Sequence, residues 1–130
     1  MLKKVCNLIF ILYAYADATK MIHYSTKSNH THQLCDDIRD AILEFVDELA
    51  EQSFGYIGNP NFADMKLTTD IQRTDDLKTL CSMVSKSIES YRSDCEKDDK
   101  MASIVSLIDD FNGKLSKLSF LATFDKYSKK

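Results

Sequence analysis

The sequence is poor in the residues that build turns, because its 130 residues include one proline and three glycines. A β-sandwich or a β-barrel needs many turns, so this scarcity argues against both. Hydrophobic residues make up 44% of the chain, which is enough for a packed core and argues against global disorder. The composition therefore favours one domain of long helices joined by few loops.

The chain also lacks a basic surplus and the motifs of common catalytic sites. Its formal net charge is −3, whereas non-specific nucleic-acid binding requires a basic face. No G-x-S-x-G elbow is present. The acidic run 36–40 has the spacing of a magnesium motif, but the chain is too short for the two facing helices and large cavity that such a motif serves. We expect no nucleic-acid partner, no enzymatic activity and no cofactor.

All three histidines, His23, His30 and His32, fall within ten residues. With Cys35 or Asp36 they could supply zinc or copper ligands. Their spacing matches no established site, and the helical i, i+4 histidine pair that would fix two imidazoles is absent. A nucleophile pair of Cys35 and His32 has no third group to orient the base. We therefore predict neither a metal site nor a catalytic cysteine.

Residues 1–18 have the composition of a signal peptide. Two lysines precede an apolar run at residues 5–14, which is too short to span a bilayer. Two overlapping A-x-A motifs follow and end at Ala16 and Ala18. We expect cleavage after Ala18, or else after Ala16. The alternative interpretation is an N-terminal helix buried in the core.

Cleavage would leave a secreted chain of 112 residues. Loss of Lys3, Lys4 and Asp17 lowers the basic count from 17 to 15 and the acidic count from 20 to 19, so the net charge becomes −4. No second apolar run is long enough to span a membrane. A polar leader at residues 19–31 carries the sequon Asn-His-Thr at Asn29, which we expect to be glycosylated in a eukaryotic secretory pathway.

Apolar residues at heptad spacing predict a helical bundle domain at residues 32–130. The predicted stripes run from Cys35 to Leu49, from Thr74 to Cys95 and from Met101 to Leu118. The second stripe includes Tyr91, and Leu67 and Ile71 extend it backwards. A loop at 54–62, which holds two glycines and the proline, separates the first two helices. Weak helix sequence near Thr69 allows a break there, so the antiparallel bundle has three helices, or four if the second is broken. The predicted helices run from about 32 to 53, from about 62 to 93, and from about 99 onward.

Three cysteines would remain after Cys6 is cleaved away, an odd number in an oxidising compartment. Cys35 and Cys81 lie at equal sequence distances from Gly58, the centre of the predicted loop, so an antiparallel helix pair would place them side by side. We expect a Cys35–Cys81 disulfide on this geometry. Cys95 is then free or joins two chains into a disulfide-linked dimer.

Aromatic residues that lie off the heptad positions fall into two groups and are candidates for a protein interface. The other interpretation is that they close the two ends of the bundle core. One group flanks the loop and the other lies near the C-terminus: Phe54, Tyr56 and Phe62, and Phe120, Phe124 and Tyr127.

These features predict a secreted, non-enzymatic protein that binds an extracellular protein partner or receptor. A cytokine-like ligand, a seminal or salivary fluid factor and a host-directed effector all fit that description. The alternative is a small extracellular carrier that holds an apolar ligand between its helices.

Overall fold

The computed structural model describes residues 1–67 and 70–124. Within these residues the chain is all-helical, which confirms the predicted fold class, and it has four α-helices and two single-turn 3-10 helices. The α-helices are α1 (Leu2–Ser25), α2 (Asn29–Ile57), α3 (Leu77–Glu96) and α4 (Ala102–Ala122). The 3-10 helices are Phe62–Asp64 and Asp99–Met101.

Side-chain caps fix where the later helices begin. The Ser28 hydroxyl accepts a hydrogen bond from the backbone N–H of Thr31 at 3.2 Å and starts α2. The Asp76 carboxylate accepts from the N–H of Thr79 at 3.0 Å and starts α3. The Asp98 carboxylate accepts from the N–H of Lys100 and caps the 3-10 turn that leads into α4.

The four helices form a bundle in which α1 packs against α2 and α3, and α4 packs against the same two helices. Helices α2 and α3 therefore lie diagonally across the bundle. Near the start of α1, Lys4 contacts Asp94 near the end of α3 at 2.6 Å. In the same way, Nε2 of His30 in α2 lies 2.7 Å from the carbonyl oxygen of Leu121 in α4.

The apolar stripes predicted from heptad spacing form the core of the bundle. In α2 the stripe from Cys35 to Leu49 is fully buried, and in α3 so is the stripe from Leu77 to Cys95. Phe45 of α2 stacks on Phe111 of α4 with ring centroids 4.1 Å apart and planes 6° apart. This stack joins α2 to its neighbour α4, and so links the two halves of the sequence within the core.

The second predicted helix begins later than the sequence pattern indicated. Residues 62–67 form no more than a single 3-10 turn, residues 70–76 are not helical, and α3 starts at Leu77. The stripe carries only two apolar residues before Leu77, and their burial does not offset the cost of ordering further helical turns. Thr69, the predicted break point, lies outside the described residues.

The largest difference from the sequence analysis concerns residues 1–31. Helix α1 covers the predicted signal peptide and continues to Ser25, and the rest of the predicted leader forms a turn and the start of α2. In the folded chain the N-terminal segment is therefore a core helix. Nine α1 residues are buried, seven of them within residues 1–18: Val5, Cys6, Leu8, Ile9, Leu12, Tyr15, Ala16, Thr19 and Ile22.

Helix α1 is also long and apolar enough, by length and composition, to cross a membrane. Its 18-residue apolar window has a mean hydropathy of 1.3, and half of that window is buried in the bundle. A core helix, a signal sequence and a membrane anchor all have these properties. The expected absence of a membrane span thus stays a prediction.

All four cysteines are buried free thiols, so the structure contains no Cys35–Cys81 disulfide. The argument that placed these residues on adjacent helices is wrong, because α2 and α3 lie diagonally with α1 and α4 between them. Burial, followed by the charge of Cys35, raises the pKa of Cys81 to about 12. Cys95 is 0% exposed and cannot reach a second chain unless the bundle opens.

Candidate interaction surface

The three aromatic residues that flank the predicted loop differ in burial. Phe54 is partly buried and packs against the core, as the end-closing interpretation requires. Tyr56 and Phe62 are exposed. Phe62 contacts Phe10 of α1 edge to face, with ring centroids 6.0 Å apart. The loop group therefore contributes to a surface shared with α1.

The C-terminal aromatic group lies at the end of α4. Phe120 and Phe124 are both exposed and contact each other edge to face at 5.0 Å between ring centroids. Tyr127 lies outside the described residues. These two phenylalanines form a small exposed apolar patch at the end of α4.

Sequence analysis missed an exposed apolar surface on the solvent side of α1. Four of its side chains are apolar or aromatic and are 37% to 68% exposed. Four of its members, at positions 3, 10, 17 and 24, are spaced seven residues apart, which places them in one line along the helix. The pattern was readable, but it lies in the segment that was interpreted as a signal peptide and leader. We call this surface the α1 outer face; its residues are Lys3, Phe10, Tyr13, Asp17, Met21 and Tyr24.

The two charged residues of the α1 outer face differ from the other lysines of α1 in their ion pairing. Lys4 pairs with Asp94 at 2.6 Å, and Lys20 pairs with Asp36 at 3.5 Å. Lys3 and Asp17 are exposed, and neither forms an ion pair with any residue in the ranges 1–67 and 70–124. Their charges are therefore directed to solvent or to a partner.

A cavity of about 310 Å³ lies next to this face, between α1 and the segment that precedes α3. That volume is at the lower end of the range for small-molecule pockets. The cavity combines apolar residues with an arginine and two aspartates. Its lining is Ala14, Asp17, Ala18, Met21, Ile22, Ile71, Arg73, Thr74 and Asp75.

The clustered histidines fix the turn between α1 and α2. Nδ1 of His23 lies 2.9 Å from the carbonyl oxygen of His32, and Nδ1 of His32 lies 3.0 Å from the carbonyl oxygen of His23. A carbonyl only accepts, so both Nδ1 atoms carry the hydrogen. The rings lie 3.6 Å apart, and Asp36 lies 3.3 Å from Nδ1 of His23. Across the part of the chain that the structure describes, no three His, Cys, Asp or Glu side chains cluster in a way that could hold a metal ion.

Asn29 is exposed and is the first residue of α2. Its side chain is therefore open to solvent at an end of the bundle, where a glycan would not disturb the core. Whether the sequon is used stays a prediction.

Comparisons of the chain with protein-family models, with curated proteins and with solved structures find no match. Function is therefore inferred from the α1 outer face, the adjacent cavity and the N-terminal sequence pattern.

Proposed function

We propose that this chain is a non-enzymatic protein that acts outside the cell by binding another macromolecule. The α1 outer face carries this proposal, because it places exposed aromatic and methionine side chains on one face of a long helix that packs into the bundle. Such residues are the usual anchors of protein interfaces. A cytokine-like ligand, a seminal or salivary fluid factor and a host-directed effector are the classes that fit, with an extracellular protein or receptor as the partner.

A cell-surface binding experiment tests this proposal. Labelled full-length protein is added to intact cells from the tissue in which the protein accumulates, and bound label is measured against concentration. We expect saturable binding that is lost when Met21 and Tyr24 are both replaced by aspartate. The matched control, Glu89→Lys, changes an exposed residue of α3 and keeps the binding. Non-saturable binding, or equal binding by the double variant, contradicts the proposal.

The proposal of export rests on the two N-terminal lysines, the apolar run and the A-x-A motifs. The structure adds a constraint on cleavage. Cleavage after Ala18 would remove seven buried side chains and leave the faces of α2 and α3 that contact α1 open. Four of the seven are aliphatic, and each contributes roughly 1.5–3 kcal/mol when fully buried, so this loss is comparable with the whole stability of a typical small domain. We therefore propose an exported chain that retains α1.

Intact-mass measurement on protein from the culture medium separates these alternatives. A mass that starts at Met1 supports export with α1 retained. A mass that starts at Asp17 or Thr19 shows cleavage and means that the exported chain is not the four-helix bundle. Protein found only inside or on the producing cells contradicts secretion.

Two modifications belong to the same proposal. The exposure of Asn29 supports a glycan there, and an Asn29→Gln variant made in eukaryotic cells should migrate faster than the unchanged protein. Equal migration, with no effect of a glycosidase, contradicts glycosylation. A Cys35–Cys81 disulfide in exported material remains part of the proposal on the cysteine count alone, because the structure holds both residues as free thiols.

The second candidate function is a small carrier of an apolar ligand. The cavity between α1 and residues 71–75 favours it, although this cavity lies beside the bundle and not between the core helices. Organic extraction of purified protein should release an apolar compound in near-equal molar amount. An Ala18→Trp variant, which fills the cavity, should release none. An empty extract from the unchanged protein contradicts the carrier.

We also propose that neighbouring helices of the bundle run in opposite directions. The start-to-end contacts between Lys4 and Asp94 and between His30 and Leu121 support this arrangement.

A further inference from the structure

We propose that the α1 outer face pairs with the same face of a second copy of this chain. The two α1 helices run in opposite directions, with Phe10 against Phe10 at a two-fold axis and Lys3 against Asp17 at both ends. This inference rests on the proposed function, because it names the partner of the same surface. It requires that α1 remains attached to the bundle.

The spacing of three residues carries the argument. Lys3 lies seven residues before Phe10, and Asp17 lies seven residues after it, so all three share one line along α1. A two-fold axis through Phe10 places each Lys3 opposite Asp17 of the second copy. At a rise of 1.5 Å per residue the two ion pairs are about 20 Å apart, one on each side of the phenylalanine pair. The face is therefore complementary to itself.

Charge favours a second copy over a lipid surface as the occupant. Asp17 lies in the middle of the α1 outer face, between Phe10 and Met21, and an apolar lipid phase would have to take up this unpaired carboxylate. A second copy supplies Lys3 at that position. Lys3 and Asp17 are both exposed and have no ion-pair partner within the described chain, so the contact would break no existing pair.

The size of the face sets the expected affinity. Residues 3–17 form a helical stretch about 22 Å long and about 10 Å wide. That footprint is smaller than the roughly 800 Å² per partner of a standard stable interface. Phe62, which packs edge to face on Phe10, enlarges it. We therefore expect a weak dimer that dissociates on dilution.

A charge-swap experiment on the full 130-residue chain tests the pairing by sedimentation equilibrium over a concentration series. Lys3→Asp places two aspartates opposite each other, and Asp17→Lys places two lysines opposite each other. Each variant alone should dimerise about tenfold more weakly than the unchanged chain. The double variant carrying both changes should recover dimerisation. A mixture of the two single variants should form heterodimers, because each acidic face then meets a basic one.

The controls keep the outcome interpretable. Both positions are exposed, so circular dichroism should show unchanged helix content and melting in every variant. Glu89→Lys, an exposed change on α3, should leave dimerisation unchanged. A chain that stays monomeric across the concentration series overturns the inference, and so do single variants that dimerise like the unchanged chain. In either case cell-surface binding through Met21 and Tyr24 is still measured independently.

Discussion

At the scale of single residues, the bundle contains one buried polar pair that links diagonal helices. The hydroxyl of Tyr91 in α3 donates to Oγ of Ser53 in α2 at 2.8 Å, and both residues are almost completely buried. Heptad spacing placed Tyr91 in the core, but nothing in the pattern of α2 singled out Ser53. The burial of Ser53 becomes understandable only from its hydrogen-bond partner Tyr91, which lies 38 residues away in the sequence.

Removal of one hydroxyl tests this pair. Tyr91→Phe leaves the buried Ser53 hydroxyl without that partner, so we expect the free energy of unfolding to fall by about 1–3 kcal/mol. Ser53→Ala should have a comparable effect through the Tyr91 hydroxyl. Chemical denaturation of both single variants and the double variant gives the coupling energy. Additive losses would mean that the hydroxyls do not interact.

The core thiols lead to a prediction about reactivity and alkali. Burial, with a further contribution from Asp36, raises the pKa of Cys35 to about 11, and burial raises that of Cys81 to about 12. The thiolate is the reactive form, so at pH 8 an aromatic disulfide reagent should react slowly with the native protein and rapidly in denaturant. Fast reaction of both thiols in the native protein would contradict their burial.

The same two groups affect stability at high pH. A thiol whose folded pKa is raised contributes stability below its unfolded pKa, near 8.5, and that stability is lost as the pH rises toward 11 and 12. The melting temperature should therefore fall between about pH 9 and 11, and it should fall less in the variant with Cys35→Ala and Cys81→Ala. Peptide mapping of unreduced exported protein, alkylated at once, shows whether the pair becomes a disulfide.

At the scale of helices, the sequence predicted three of the four core faces. The stripes of α2, α3 and α4 are regular, and their members within these helices are buried where the spacing placed them, except Leu118 of α4, which is partly buried. The start of α3 was misjudged because two isolated apolar residues, Leu67 and Ile71, extended the pattern without enough apolar area to support a helix. The apolar run of α1 has the composition of both a signal sequence and a core helix, so its sequence pattern alone does not distinguish the two.

Charges placed on these stripes test the helix phases. Phe45→Asp and Ile108→Asp each bury an unpaired carboxylate, so each should abolish cooperative thermal unfolding. Glu44→Lys is the neighbouring control: it disrupts only an exposed pair with Lys114, 3.6 Å away, and should change stability by less than about 1 kcal/mol. A cooperative transition in either aspartate variant would show that the assigned face is wrong.

At the scale of the whole molecule, helix content was predictable but helix neighbours were not. The sequence argument paired α2 with the next helix because a loop joins them, whereas α2 packs against α1 and α4. The apolar stripe of a helix does not specify which other helix packs against it, because any two apolar faces can bury each other. The α1 outer face is not evident from the sequence for a related reason, because its residues lie in a segment whose composition indicates a signal peptide and a polar leader.

The diagonal placement of α2 and α3 has a consequence for how the chain folds. The pairs α1–α2 and α3–α4 are each joined by a few residues, so their contacts are local and can form on the microsecond scale. The two pairs are instead joined by 19 residues, 58–76, and contact each other between residues that are far apart in the sequence, such as Ser53 and Tyr91. We therefore expect the slow step of folding to be the docking of one helix pair on the other. Doubling the length of the connection would raise the entropic free-energy cost of loop closure by only about 0.6 kcal/mol. The folding rate should therefore depend on the apolar contacts between the pairs, such as Phe45 on Phe111, far more than on the length of the segment that tethers them.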